Sequence, residues 1–325
     1  MPAQALIVAI PSKGRLQEQV TEYLADAGLS MKQVAGARDY RATIPGQPGV
    51  EVKLMSPAEI AASLGTGEVH LGITGEDLIR EGVRDSDTTI ALLQPLGLGF
   101  ADVVVAVPRA WIDVATMADL DDVCTAFHVR HHRRLRVATK YLQLTRAFFA
   151  AHGIADYRIV ESLGATEGAP AAGLAEAIVD ITTTGATLEA NDLKVLEDGV
   201  ILKSQAQLAA SLKAKWTKTA LDAAERLTAR IAARELARSS YVLRLTVSRK
   251  AEKLLRLLEH DMGCTVLSRN GTSEREVLCP RERLSDAVEV LRAKGMEASV
   301  VAERADYIFG EGNPVIERLS AALRK

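Results

Sequence analysis

Two kinds of spacing alternate along the chain up to about residue 238: short apolar runs that suit strands, and stretches with apolar residues three and four apart that suit helices. Runs at residues 5–10, 49–55, 69–73, 98–107, 136–139 and 177–181 predict strands. Helices are predicted over 16–27, closed by Gly28, and over 57–64, with Ser56 as N-cap and Pro57 in the first helical position. Further helices are predicted over 144–152 and 169–176, and a long amphipathic one over 213–238. The run 103–107 is mostly β-branched, as expected of a strand buried on both faces. Residues 121–134 read as a surface helix and loop carrying Arg130, His131, His132, Arg133 and Arg134. Adjacent histidines on a helix point apart, which argues against a metal pair.

From Ser240 the pattern changes. A strand at 241–247, a helix at 249–259, a hairpin pair at 265–268 and 276–279, a helix at 283–294 capped by Gly295, and a strand at 298–302 give the order βαββαβ. That order describes a ferredoxin-like α+β module. Ahead of it, repeated strand–turn–helix units predict an α/β core. A chain of 325 residues exceeds one hydrophobic core. The expected division is a first lobe from 1–97 and 210–238, a second lobe from 98–209, and a C-terminal domain from 239–325.

Composition narrows the function. With 48% hydrophobic and 25% charged residues the chain reads as soluble and globular. A net charge of −2 implies no broad basic face, and 4% aromatics argue against base stacking, so no nucleic-acid partner is expected. Cys124, Cys264 and Cys279 fit neither a disulfide framework nor a zinc ribbon. No run has the length of a membrane span, and the N-terminus lacks the charge-first order of a signal peptide. A cytoplasmic enzyme without membrane contact is expected.

The most informative segment is Asp180-Ile181-Thr182-Thr183-Thr184-Gly185-Ala186-Thr187-Leu188. An apolar strand delivers an acid, then hydroxyls and a glycine, then the start of a helix. A phosphate monoester needs several N–H and O–H donors converging on a small volume. Gly185 lets the backbone turn into such a nest, the helix start offers unpaired N–H groups, and the threonines add hydroxyls. Asp180 would repel a phosphate, and suits ribose hydroxyls or a magnesium ion. Taken alone, the segment could equally be a plain strand–turn–helix junction.

Its context is more specific. Glu167, Gly173, Ala175, Ile178, Asp180, Thr184, Gly185, Thr187 and Leu188 resemble, with matching spacing, the signature of ATP phosphoribosyltransferases. Pro11-Ser12-Lys13-Gly14-Arg15-Leu16, Arg38-Asp39-Tyr40-Arg41, Leu71-Gly72-Ile73-Thr74-Gly75-Glu76-Asp77, Val105-Ala106-Val107-Pro108 and Val137-Ala138-Thr139-Lys140-Tyr141 are similar to that family's other segments, in order. The resemblance implies a two-lobed, periplasmic-binding-protein-like core with an ACT-like, ferredoxin-type tail. It implies transfer of phosphoribosyl from phosphoribosyl pyrophosphate to N1 of ATP, with Mg2+ required. It further implies that Thr183, Thr184, Gly185, Ala186 and Thr187 hold the sugar phosphate and that Glu167 and Asp180 bind ribose hydroxyls. Lys13 and Arg15 would face pyrophosphate or ATP phosphates, and Arg38 and Arg41 would help seat ATP. Glu76 and Asp77 would lie at the cleft edge, although carboxylates also favour a helix start. Lys140 and Tyr141 would border the substrates, with Tyr141 equally suited to core packing. Mg2+ would be held mainly by substrate phosphates, with Asp180 or Glu167.

Two departures stand out. Where relatives carry an arginine before an Asp-Ile pair, this chain has Ser56-Pro57-Ala58-Glu59-Ile60. The tail has the length of a histidine-binding effector module but differs from it in sequence, so histidine sensitivity stays open. The resemblance implies a homo-oligomer, hexamer or dimer, and short-form relatives need a separate regulatory subunit. Alternative readings are a non-catalytic two-lobed binding protein and a phosphoribosyltransferase with another acceptor. No P-loop sequence occurs.

Overall fold

A computed structural model of the chain describes residues 5–33, 40–246, 252–267, 274–293 and 300–324. Arg38, the starts of the predicted elements at 249 and 298, and the Gly295 cap lie outside the described residues.

The first lobe is a seven-stranded sheet in the order β2-β3-β4-β1-β5-β12-β6. Its strands are β1 (Leu6–Pro11), β2 (Lys32–Gln33), β3 (Arg41–Thr43), β4 (Val50–Met55), β5 (Leu71–Gly75), β6 (Ile90–Pro95) and, returning from later in the chain, β12 (Ala206–Ser211). Strands β4, β1 and β5 run parallel, while β12 is antiparallel to both its neighbours. Helices α1 (Gly14–Asp26), α2 (Pro57–Thr66), α3 (Glu76–Gly82) and α4 (Ser86–Thr89) join them. Ser56 and Glu59 close a reciprocal capping box on α2. The helix ends at Gly67, whose φ of 85° places it in the left-handed region, and a Cβ there would meet the Lys213 backbone at 2.8 Å. Ile60, Leu64, Val69 and Ile79 pack with Ala9 beneath the sheet.

The second lobe is a five-stranded sheet in the order β11-β7-β10-β8-β9. It comprises β7 (Asp102–Pro108), β8 (Leu135–Thr139), β9 (Tyr157–Glu161), β10 (Ala177–Thr182) and β11 (Leu193–Leu202), with α5 (Met117–His131), α6 (Leu142–Ala151) and α7 (Ala186–Ala190). Strands β10, β8 and β9 are parallel, and β7 is antiparallel to β10 and β11. The β-branched run in β7 serves two cores. Val103, Val105 and Val107 face Met117, Leu120, Cys124 and Phe149, while Val104 and Ala106 face Ala138, Ile178 and Leu188. The two histidines end α5: His131 lies against the Phe127 ring at 4.3 Å, and His132 is the left-handed C-cap.

Two crossing segments join the lobes and pair with each other. Ala101 N–H donates to Ser204 O at 3.0 Å, and Ala206 N–H donates to Leu98 O at 2.9 Å. The return to the first sheet therefore comes at Ala206, earlier than the expected residue 210. Two further predictions change. Residues 169–176 form turns instead of a helix, because Pro170 and Gly173, with φ of 67°, interrupt it. The long helix α8 (Lys218–Ser239) starts later than residue 213, because Thr217 caps it by accepting the Ala220 N–H at 3.2 Å.

By contact density both lobes fall in one compact unit, within residues 1–22, 31–223 and 318–325; the second unit falls within 23–30 and 224–317. The chain is thus cut differently from the expected three-part division. The tail sheet contains β13 (Ser240–Thr246), β14 (Thr265–Val266), β15 (Glu274–Pro280) and β16 (Val301–Glu303) in the order β14-β15-β13-β16. All its pairings are antiparallel, the arrangement of a ferredoxin-like module. Leu254, Leu255 and Leu258 of α9 (Glu252–Met262) and Ala287 and Leu291 of α10 (Leu284–Ala293) fill its core with Cys264 and Cys279. Beyond the module, Asn313 caps α11 (Pro314–Ala322) by accepting the Val315 N–H at 3.2 Å.

Candidate functional site

In open α/β sheets ligands gather at the carboxyl ends of parallel strands. Here those ends meet across the lobes. Asp77 follows β5 and Tyr141 follows β8, and the Tyr141 hydroxyl donates to Asp77 Oδ2 at 2.8 Å. Most sequence-predicted residues lie along these two edges.

On the second lobe, β10 places Asp180 opposite Val104 and ends in the 183–187 loop. Gly185 has φ of 80°. A Cβ there would meet nothing within 4 Å, so glycine is needed for backbone conformation and not for space. Its N–H donates to Thr182 Oγ1 at 2.8 Å, and the Ala186 N–H approaches Thr184 Oγ1 at 3.4 Å. Thr183 Oγ1 donates to Phe100 O at 3.0 Å. Helix α7 has only five residues, so its dipole adds less than the sequence suggested. The first-turn N–H groups of Ala186, Thr187 and Leu188 have no helical acceptor and carry the polarity of the corner instead. Leu188 is buried and anchors the turn.

Asp180 Oδ1 accepts its neighbour Ile181 N–H at 2.8 Å. Burial raises the Asp180 carboxyl above the ordinary aspartate value; the Ile181 hydrogen bond and the nearby Lys140 pull it down, Glu167 pushes it up, and Thr166 lowers it. Asp180, Lys140, Glu167 and Thr166 are thus electrostatic neighbours. Glu167 sits in a 3-10 turn entered through Ala165, a non-glycine residue at φ of 50°. Sequence reasoning missed the props of this turn. Buried Thr166 donates to Ser162 Oγ at 3.1 Å, and Ser162 N–H donates to Thr139 O at 3.0 Å, tying the turn to the end of β8. A buried threonine after a left-handed alanine leaves no periodic trace in sequence.

The remaining signature positions are structural. Gly173 turns the chain, and its carbonyl accepts from Arg136 Nη2 at 2.9 Å. Ala175 and Ile178 are buried. Glu176 accepts from Arg136 at 2.7 Å and Arg133 at 3.1 Å, which together with the Arg136 N–H overcome burial and lower its carboxyl to about 2.

On the first lobe, Lys13, in the turn after β1, and Arg15, in the first turn of α1, are exposed. Ser12 N–H donates to Met55 O at 2.9 Å, so this turn lies beside the start of α2. Exposed Arg41 pairs with Glu51 at 3.8 Å on β3. Glu76 and Asp77 are not free carboxylates at the cleft edge. Glu76 accepts from Gln207 Nε2 at 3.0 Å and pairs with Arg80 at 3.4 Å. Asp77 is buried and accepts from Ser204 Oγ at 2.9 Å in the crossing segment, as well as from Tyr141. Tyr141 is likewise buried, with Lys140 Nζ 5.1 Å from its ring centre. Burial and the facing carboxylates push its phenol far up, so it remains a hydrogen-bond donor.

Fold and site define a two-lobed α/β protein with a hydroxyl- and amide-rich corner on one lobe and a basic turn on the other. A family model for ATP phosphoribosyltransferase matches residues 56–233. ATP phosphoribosyltransferases of Rhodopseudomonas palustris (strain BisB18) and Afipia carboxidovorans are 52% and 51% identical to it over 321 residues, covering 98% of each chain. An ATP phosphoribosyltransferase complex (HisG:HisZ) from Thermotoga maritima superposes with a TM-score of 0.52 at 25% identity, covering 70% of this chain and 97% of that one. The chain belongs to the ATP phosphoribosyltransferase family. It is a glycosyltransferase-class enzyme that transfers phosphoribosyl from phosphoribosyl pyrophosphate to ATP, releasing pyrophosphate, in the first step of histidine biosynthesis. The family match ends at residue 233, whereas the curated relatives share the tail as well.

Proposed function

We propose that the two substrates divide between the two edges. Phosphoribosyl pyrophosphate occupies the second-lobe corner, its 5′-phosphate on Thr183, Thr184, Gly185, Ala186 and Thr187 and its ribose hydroxyls on Asp180 and Glu167. ATP lies toward the first lobe, where Lys13, Arg15 and Arg41 supply positive charge; Arg38, by the family resemblance, joins them. The observation that carries this reading is the electrostatic proximity of Asp180, Glu167 and Lys140 beside a loop with a left-handed glycine and threonine hydroxyls.

The transfer needs no nucleophilic side chain. The sugar carbon develops oxocarbenium character while pyrophosphate departs, so the protein's task is alignment and charge stabilisation. Lys140 stands beside Asp180 and balances its charge; together with Lys13 and Arg15 it stabilises the departing pyrophosphate. Bound Mg2+ supplies charge neutralisation of the pyrophosphate. Asp180 and Glu167 fit such an ion as a carboxylate pair. Among the described residues no group of three His, Cys, Asp or Glu side chains is placed to hold one; bound Mg2+ would take substrate phosphates as its further ligands.

The enzyme is cytoplasmic, in keeping with ATP as substrate and three free, buried thiols. No helix among the described residues is long and apolar enough to cross a membrane. Exposed Ile112, Val129 and Leu163 suit a homo-oligomer, dimer or hexamer. By the family resemblance the ferredoxin-like tail would serve as a histidine effector module, which would make a separate regulatory subunit less necessary. Titration calorimetry tests both halves of the reading. Phosphoribosyl pyrophosphate should bind the native chain and bind Lys140→Ala at least tenfold more weakly, and millimolar histidine should give saturable heat. Equal binding to both chains would sink the corner assignment, and no heat with histidine would sink the effector role.

A further inference from the structure

Besides the crossing segments, one face of α3 ties the lobes together. Asp77 and Glu81 are four residues apart and share a side of that helix. Both grip the corner that begins α6. Asp77 takes the Tyr141 hydroxyl at 2.8 Å. The Glu81 carboxylate accepts the Gln143 N–H with both oxygens at 3.0 Å and the Leu144 N–H at 3.0 Å. Tyr141, in the N-cap position of α6, provides no side-chain cap. A helix leaves its first N–H groups without internal acceptors. Here they are met by a carboxylate 62 residues upstream, on the other lobe. The bonds are charge-assisted and lie at the positive end of a ten-residue helix.

The gripped corner directly follows Lys140, the cation beside Asp180. Lys140 is exposed and α6 has no cap of its own, so α3 fixes where this part of the second lobe stands relative to the first-lobe edge. Ser204 of the crossing segment also donates to Asp77, so the clamp is seated on the connection about which the lobes must move.

We propose that Glu81 is a positioning residue for the transfer. By capping α6 across the lobe boundary, and with Asp77–Tyr141 as the second point of a clamp, it holds the two lobes in the arrangement described above, so that the two substrates meet. The proposal rests on the placement of the substrates on opposite lobes. It is distinct from the identity of the phosphate corner, which Asp180 and Gly185 variants test independently.

The experiment pairs steady-state kinetics with a distance between the lobes. Spin labels at Ala62→Cys on α2 and Arg158→Cys on β9 occupy exposed positions, and the three native cysteines are buried. In Glu81→Ala the distance distribution should broaden toward longer values. kcat should fall about tenfold, the loss expected for charge-assisted bonds, and KM should rise for both substrates. Glu81→Gln retains an acceptor oxygen and should recover much of both. Tyr141→Phe removes a single hydroxyl, and its kinetic effect should combine less than additively with that of Glu81→Ala, since both variants open the same clamp. It also reads the clamp should Glu81→Ala not fold. An unchanged distance distribution in Glu81→Ala and Tyr141→Phe would overturn the clamp. A wider distribution with unchanged kcat and KM would overturn its role in the transfer.

Discussion

Replacing Asp180 by asparagine lowers kcat/KM for phosphoribosyl pyrophosphate by roughly 10²- to 10⁴-fold and raises the melting temperature. Two hydrogen bonds from ribose hydroxyls to a charged group contribute about 1.5–3 kcal/mol each, which sets that range. The stability gain has a separate origin. Burial holds the Asp180 carboxyl above its ordinary value, so the folded chain keeps an anion it disfavours. A folded-state value above the unfolded one means that stability is fully present below the ordinary aspartate range. It is lost as pH rises through the folded value. The asparagine variant lacks this loss, so its advantage should be absent in acid and complete at neutral pH. Thermal melts from pH 3 to 7, run beside pyrophosphate-release kinetics, check both parts. A variant that is less stable at neutral pH, or that keeps native kcat/KM, would contradict the assignment. An activity cost paired with a stability gain is the mark of a residue kept for its chemistry.

The second large effect is at Gly185. Its φ of 80° is strained for any L side chain, and most for a β-branched one. The left-handed conformation costs about 1–2 kcal/mol. No atom lies within 4 Å of a Cβ there, so steric displacement is not the cause. Gly185→Val should unseat the turn, breaking the Gly185 N–H bond to Thr182 Oγ1 and the Glu189 N–H bond to Gly185 O. KM for phosphoribosyl pyrophosphate should rise about thirtyfold, with KM for ATP changed far less. Asparagine tolerates this conformation better than alanine or valine, so the losses should rank Asn, Ala, Val. Initial-rate kinetics with each substrate varied in turn decide the matter. Equal losses for both substrates, or a valine variant as good as the native chain, would count against a phosphate site here.

How much was legible in sequence follows from the range of the interactions. Gly185, Asp180 and the buried Leu188 lie in one strand–turn–helix, so the local form of the corner was legible, while its reading as a phosphate site came from the resemblance of the longer segment from Glu167. The run in β7 announced a strand with two buried faces, and the tail's βαββαβ order was written in its periodicity. The false helix at 169–176 arose because alanine and leucine suggested helix where Pro170 and Gly173 decide otherwise. The true identities of Glu76 and Asp77 could not be read locally. Their partners, Gln207 and Ser204, lie 131 and 127 residues away, and carboxylates at a helix start are expected on dipole grounds alone. The Glu81 cap on α6 was hidden for the same reason. Nothing within α6 shows that its cap comes from another lobe.

Both substitutions depend on the proposal that the 180–188 corner holds the donor sugar. A crystal structure of the complex with phosphoribosyl pyrophosphate tests it most directly. The 5′-phosphate should lie within hydrogen-bond distance of the Ala186 and Thr187 amides and the Thr184 and Thr187 hydroxyls, with Asp180 or Glu167 on the ribose hydroxyls. A donor sugar seated instead on the Lys13–Arg15 turn, with the corner untouched, would contradict it.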